Sequence, residues 1–278
     1  MEFSDNELLN MVYEDLGSCD LSAQYLALDS EVLGRVEFFT REEGICAGIS
    51  IARRMCELFG GTVKFAHEEG VHVKENGTLL IVEGRGVDLL KVYKVAQNVI
   101  EYSCGVATKT AKIVQLAREI YPDIEIATTR KHIVGAKKLS LNAVILGGGV
   151  PHRLGLYDSI LIFPHYLVFK DHFAFNHKKY RERKVGFEAK SIEEALEYAK
   201  DVDIVQLDKQ NPILLKEAII KLKAINPHII VALAGGINEK NVQEYAQCMP
   251  DLIVTSSPYF VKPFDIGTRM IKILKDSL

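Results

Sequence analysis

The chain has no tryptophan, only 8 prolines and no excess of either charge, its 34 basic and 37 acidic side chains leaving a formal net charge of −3 over 278 residues. Without a basic stripe there is no electrostatic footprint for a polyanion, so neither nucleic acid nor an anionic membrane surface is expected as a partner. The 5 cysteines are odd in number and contain no C-x-x-C pair, which argues against a disulfide framework and a structural zinc site. No run holds enough uninterrupted apolar residues to span a bilayer. The opening MEFSDNELLNMVYEDLG is acidic and lacks the basic and apolar regions of a secretion signal. Together these absences predict a cytoplasmic protein, neither secreted nor membrane-inserted.

What is present is ordinary globular material, 48% hydrophobic, enough for one large core or two modest ones. Up to about residue 110 the text mixes helices and short strands, with strand candidates at 34–39, 62–66, 71–74 and 79–83, predicting a small α+β domain. Asn76-Gly77 signals a hairpin between the last two. An amphipathic stretch over 87–116 follows. From 111 to 278 short apolar runs at 124–127, 159–163, 185–189, 203–207, 229–234 and 252–254 alternate with helix-length segments at 192–200, 214–223 and 239–248. Such alternation reads as βα units on a parallel sheet. Six strands fall short of an eight-stranded barrel, so an incomplete barrel is expected, with a doubly wound open sheet as the competing architecture.

In parallel α/β folds the working groups sit beyond the C-terminal ends of the strands. That rule collects Thr129, Arg130 and Lys131 after the first run, Glu188 after Val185-to-Phe187 in the third, Asp208 after the fourth, Gly235-Gly236 after the fifth and Ser256 after the sixth. His152 and Arg153, delivered by GGGVPHRLGLYD, complete a mouth with a cationic and an acidic half. Each of these alone reads as a solvated loop charge or a helix cap. Their coincidence at successive strand ends does not. The Gly235-Gly236 turn leaves backbone N–H groups open to a phosphate. Gly147-Gly148-Gly149 lacks the Lys-Ser or Lys-Thr of a P-loop, and the histidines of His67-Glu68-Glu69-Gly70-Val71-His72 are five apart, which removes the zinc-protease reading.

The stretch Ala127-Thr128-Thr129-Arg130-Lys131-His132-Ile133-Val134-Gly135, followed by GGGVPHRLGLYDSIL, resembles the central signature of the nicotinate-nucleotide pyrophosphorylase, or quinolinate phosphoribosyltransferase, family. The Val-Pro-His-Arg-Leu-Gly-Leu form is similar to its ModD branch. The resemblance runs over essentially the whole chain, including Glu14-Asp15-Leu16-Gly17, Glu42-Glu43-Gly44-Ile45-Cys46-Ala47-Gly48 and Cys104-Gly105-Val106-Ala107-Thr108. It implies an N-terminal α+β sandwich at 1–110 and an open α/β barrel at 111–278, the type II phosphoribosyltransferase fold, with the last helix returning to the N-terminal domain. It also implies a homodimer with shared active sites, phosphoribosyl pyrophosphate and a nitrogen heterocycle as substrates, and Mg²⁺.

By the same resemblance Arg130, Lys131, His152 and Arg153 form the pocket for acceptor carboxylate and pyrophosphate, with Lys131 catalytic. Glu188 and Asp208 are the catalytic acidic pair that holds ribose hydroxyls or Mg²⁺, while Gly235, Gly236 and Ser256 take the 5′-phosphate. This chain departs from the quinolinate enzymes at three places. Lys94 stands where their arginine reaches in from the partner subunit, Phe163 where a lysine faces the acceptor, and Ala232 where a glutamate precedes the double glycine. The acceptor pocket has thus lost a cation and a fork donor. The expectation is a phosphoribosyltransferase with an acceptor less anionic than quinolinate. Authentic quinolinate turnover and a non-catalytic anion or metabolite sensor are the alternatives.

Overall fold

The structure, a computed structural model, describes residues 1–170, 174–175 and 180–274. The chain opens with α1 (Asp5–Leu16), started by a reciprocal capping box between Ser4 and Glu7, and α2 (Leu21–Tyr25), capped by Asp20. β1 (Leu33–Thr40), β2 (Gly44–Ile45), α3 (Ile49–Leu58), β3 (Thr62–Ala66), β4 (His72–Val73) and β5 (Thr78–Arg85) lead to the long helix α4 (Gly86–Arg118). Then come β6 (Glu125–Thr128), α5 (Lys137–Leu146), β7 (Val150–Pro151), β8 (Ile160–Ile162), α6 (Pro164–Leu167), β9 (Val185–Ala189), α7 (Ile192–Tyr198) and β10 (Ile204–Asp208). α8 (Pro212–Ile225), β11 (Ile230–Ala234), α9 (Val242–Ala246), β12 (Leu252–Thr255), a 3₁₀ turn at Ser257–Phe260 and β13 (Ile266–Lys272) complete the order.

The chain divides into two compact units, the first built from Met1–Thr108, Ile133–Gly147 and the chain from Val261 onward, the second from Lys109–His132 and Gly148–Phe260. In the first, β13-β1-β5-β3 form an antiparallel sheet; α3 packs on β3 and β5, and α1 on α3. Val36, Phe38, Leu80 and Val82 of the sheet and Ala52, Met55 and Cys56 of α3 are buried, giving the α+β sandwich its core. The break inside α4 lies near the boundary expected at 110, but the later chain is not all in one unit.

Two expectations for this unit need correction. The last described element is strand β13, not a helix. Its β-branched Ile266, Thr268 and Ile271 suit a strand, and Gly267 lies so close under the Phe39 ring that a Cβ there would meet it at 2.3 Å. The hairpin expected across Asn76-Gly77 does not form either. Asn76 does take a positive φ of 62°, but Thr40 captures the turn, donating its N–H to Gly77 O at 3.0 Å and accepting from Asn76 N at 2.8 Å. β5 therefore pairs with β1 and β3, and β4 pairs with β2.

The second unit is a seven-stranded parallel sheet in the order β7-β6-β12-β11-β10-β9-β8. Its strands follow chain order from β8 to β12, and β6 sits between β12 and β7. This is the cyclic order of a barrel opened between β7 and β8, whereas a doubly wound sheet would reverse at a switch point. The seventh strand, β7, is absent from the sequence expectation because it is two residues long and ends in Pro151 after three glycines. Proline belongs on such an edge strand, where its missing N–H costs no ladder bond.

Strand alternation sorts this unit into two apolar layers. Ile126, Phe187, Val205, Leu207, Val231, Leu233 and Ile253 pack outward with Leu215, Ile219 and Leu222 of α8 and Ala195 of α7. The inner layer is smaller and made of small residues: Ala127, Ala232, Ala234, Leu252 and Val254. Large residues outside and alanines inside leave a hollow within the curl of the sheet. The cysteines are free thiols, and burial pushes those of Cys56 and Cys104 up to about 12. Among the described residues no helix is long and apolar enough to cross a membrane.

Phe187 ties the outer layer together, stacking edge-on with Phe175 and Tyr198 at centroid distances of 5.7 and 5.2 Å. Phe187→Ala is expected to lower the unfolding free energy by about 3–5 kcal/mol, measured as a shifted urea midpoint. An unchanged midpoint would show that the layer does not hold the barrel.

Candidate active site

Inside the second unit, at the C-terminal ends of its strands, lies a cavity of about 580 Å³. Volume alone does not select it, since a cavity of about 630 Å³ lies at the edge of β1 and β13. The convergence of strand ends does. Its lining includes Arg130 and Lys131 after β6, His152 and Arg153 after β7, Phe163 after β8, Glu188 on β9, Asp208 on β10, Gly235-Gly236 after β11 and Ser256 after β12. Every site residue expected in the barrel is therefore brought together. Lys94 is not among the lining. It is exposed on α4, where its Nζ donates to Gln97 Oε1 at 2.8 Å.

The cationic side is held by backbone and hydroxyl bonds. His152 N–H donates to Thr128 O, and Thr129 N–H to Thr255 O, both at 3.0 Å. Tyr259 Oη lies 2.7 Å from Thr128 Oγ1 as donor, so the loop carrying Arg130 and Lys131 is pinned from the far side of β12. Arg153 is only 7% exposed. Burial and then the charge of Arg130 press its guanidinium below its ordinary value, while Tyr166 and Asp158 work against that. Among the described residues Arg130, Lys131 and Arg153 make no ion pair within 4 Å of a carboxylate. Arg153 is buried while Arg130 and Lys131 are exposed at the same cavity, and arginine's planar fork suits phosphate or carboxylate oxygens, so this side can take an anion. Burial, reinforced by Arg153, holds the His152 imidazole down at about 4, so it is neutral near pH 7.

Across the cavity the carboxylates behave differently. Burial, and then the charge of Asp208, push the Glu188 carboxyl above its usual range, while Gln206, Lys131 and His165 pull it back. Gln206 Nε2 donates to Glu188 Oε2 at 2.5 Å from the adjacent strand, where the two residues are in register. The nearest cation to Asp208 is Lys209 at 3.9 Å, largely exposed and so of little energetic weight.

The double glycine has a steric reason. Gly235 has φ +99°, and a Cβ there would lie 2.5 Å from the Lys209 backbone N and 2.8 Å from Asp208 Oδ1. Gly236, at φ +74°, has open space around it. Its carbonyl accepts from Asn238 Nδ2 at 3.0 Å, and Thr255 Oγ1 donates to Ile237 O at 2.6 Å. The turn is thus built next to Ser256 with its exposed backbone turned to the cavity lining.

Phe163 packs against two aromatic rings, 4.8 Å from Tyr166 and 5.7 Å from His165 by centroid. Ala232 is fully buried in the inner layer and presents only a methyl. Gln206 and Lys209 also line the cavity and escape the sequence-based list. The available signal for Gln206 is its place two residues before Asp208 in Ile204–Asp208, an otherwise apolar strand, which puts both on one face.

Residues 20–104 match the family model of the quinolinate phosphoribosyl transferase N-terminal domain, and residues 106–269 that of its C-terminal domain. The chain is 36% identical over 274 residues to a Pasteurella multocida protein named pyrophosphorylase ModD, covering 95% of this chain and 96% of that one. A Methanothermobacter thermautotrophicus protein named nicotinate-nucleotide pyrophosphorylase [carboxylating] is 28% identical over 278 residues, covering 94% and 96%. The crystal structure of NadC from Streptococcus pyogenes superposes with a TM-score of 0.88 at 22% identity, over 99% of this chain and 100% of that one, a likeness of fold.

The depressed imidazole gives a direct check. The His152 ring resonances should titrate near pH 4 by NMR. Removing the neighbouring charge with Arg153→Ala should move the midpoint up, and bound pyrophosphate should also raise it. A midpoint at the ordinary 6.5 in the unliganded protein would contradict the buried, cation-flanked environment.

Proposed function

The chain belongs to the quinolinate phosphoribosyl transferase family and is a phosphoribosyltransferase, and from that premise we propose an acceptor less anionic than quinolinate. It joins this nitrogen heterocycle to the ribosyl carbon of phosphoribosyl pyrophosphate and releases pyrophosphate. The observation that carries the reading is the division of one cavity into a cationic arc and a carboxylate pair, with a glycine turn between their strands.

In the transfer, the bond from the ribosyl carbon to the pyrophosphate oxygen breaks, and the acceptor nitrogen forms the new bond to that carbon. The leaving pyrophosphate keeps the electron pair. Negative charge grows on it, and Arg130, Lys131 and Arg153 are placed to bind that charge. Positive charge develops at the ribose, where Glu188 and Asp208 stabilise it. Neutral His152 can donate to a substrate oxygen without adding a further full charge, and Gly235, Gly236 and Ser256 suit the 5′-phosphate. Two carboxylates that repel one another fit a divalent cation. Among the described residues no group of three or more His, Cys, Asp or Glu side chains forms a cage. That is compatible with Mg²⁺, which commonly takes one or two carboxylates and completes its shell from phosphates and water. Glu188 and Asp208 would hold it, and when bound it would neutralise charge on the pyrophosphate.

Phe163, which lines the cavity, supports the choice of acceptor. The Phe163 ring itself offers neither charge nor donor to a second carboxylate, where a lysine would offer both, and a carboxylate desolvated against it is costly. The sensor reading is weakened by the acidic pair, which a simple anion receptor does not need. We also propose a homodimer in which Lys94 of one chain reaches the other's site. Exposed Leu21, Tyr25 and Leu26 give the first unit an apolar surface for a second copy. A reducing cytoplasm suits the free thiols.

With labelled phosphoribosyl pyrophosphate and a panel of heterocycles, pyrophosphate should be released with at least one acceptor bearing no more than one carboxylate. Glu188→Ala should cut that rate at least about 100-fold. Phe163→Lys should shift preference toward dicarboxylates. Quinolinate-dependent CO₂ release by the unaltered protein would establish the carboxylating activity instead, and the absence of both turnover and phosphoribosyl pyrophosphate binding would overturn the enzyme reading.

A further inference from the structure

Gln206 is a buried polar side chain of the cavity wall, 6% exposed, and its two amide ends have opposite fates. Nε2 donates to Glu188 Oε2 at 2.5 Å. Oε1 is buried and has no hydrogen-bond partner among the described residues. The amide cannot simply turn over, because an ionised carboxylate only accepts and would face the carbonyl. A shielded acceptor without a donor is destabilising, which a protein tolerates where a ligand supplies the missing group.

The neighbours narrow what that group is. In register beside Gln206 stand Glu188 on one strand and Ala232 on the other, and Ala232 brings only a methyl. Glu188, Gln206 Oε1 and Asp208 therefore make a run of acceptors over two adjacent strands, opposite the donors Arg130, Lys131 and Arg153. A wall of acceptors fits a polyol, whose hydroxyls are donors, and does not fit a phosphate or a carboxylate.

Resting on the phosphoribosyltransferase reading, we propose that Gln206 is a positioning and specificity-determining residue: it fixes the Glu188 carboxylate with its NH₂ and accepts a ribose hydroxyl with its carbonyl. The sugar reaches Oε1 by a small turn of the amide about its terminal torsion, which is broad and soft in glutamine. The exchange satisfies the buried carbonyl only in the sugar-bound state, so it adds selectivity for a hydroxylated ring over a deoxygenated one.

The test uses the full chain and displacement of labelled phosphoribosyl pyrophosphate by ribose 5-phosphate, 2-deoxyribose 5-phosphate and 3-deoxyribose 5-phosphate. The unaltered protein should prefer ribose 5-phosphate over at least one deoxy analogue by about tenfold, the scale of one well-made hydrogen bond. Gln206→Met, of similar volume, should reduce that preference to about twofold while leaving the affinity for inorganic pyrophosphate within about twofold. The same preference in both proteins overturns the proposal and leaves Gln206 a packing residue. Failure of the unaltered protein to bind phosphoribosyl pyrophosphate would instead overturn the functional reading beneath it. Should Gln206→Met not fold, a crystal structure of the unaltered protein with ribose 5-phosphate decides. A ribose hydroxyl within about 3.2 Å of Gln206 Oε1 supports the proposal; a separation beyond hydrogen-bond reach, or a different donor on Oε1, overturns it.

Discussion

The parallel pairing of β6 with β12 is the constraint on which the active site depends. These are the first and last strands of the barrel in the chain, and their register sets Thr128 beside Thr255. Only because they pair does the loop with Arg130 and Lys131 share a cavity with Ser256, Gly235 and the acidic residues of β9 and β10. The seam is reinforced where it matters, by the backbone bond from Thr129 to Thr255 and by the Tyr259 hydroxyl on Thr128. Once the ring order is set, strand alternation does the rest. It sends the large aliphatic side chains out to the helices and leaves alanines facing in, so the hollow is a consequence of residue size at alternate positions.

Charge separation follows from that ring order. Donors come from the loops after β6 and β7, acceptors from β9 and β10. Arg153 is held below its ordinary value by burial and then by the charge of Arg130. Glu188 is pressed the other way by burial and by Asp208. A ligand that is a polyanion at one end and a polyol at the other would relieve both, which is the chemical outline of the phosphoribosyl pyrophosphate proposed above.

Much of this was legible in the sequence, for reasons that can be named. β9, β10, β11 and β12 are short apolar runs bounded by helical periodicity, and Glu188, Asp208 and Gly235 fall at or beside their ends, where a parallel sheet exposes them. What could not be read depends on partners distant in sequence. β7 has no apolar run and is a strand only because β6 supplies its ladder bonds. The turn at Asn76-Gly77 was visible, but its capture by Thr40 was not. β13 is shaped by pairing with β1, more than two hundred residues upstream. Gln206 sat in view as a polar residue in an apolar strand, yet its unpartnered carbonyl emerges only when its neighbours on β9 and β11 are in place.

The central claim is that a single cavity binds phosphoribosyl pyrophosphate between its cationic and acidic walls. Calorimetric titration of that compound, on the unaltered protein and on Arg153→Ala, tests it most directly. The account predicts saturable binding that pyrophosphate displaces, that weakens as salt is raised, and that Arg153→Ala reduces at least about tenfold, the scale of a charge-assisted hydrogen bond. Absence of saturable binding, or binding indifferent to the loss of Arg153, would contradict it.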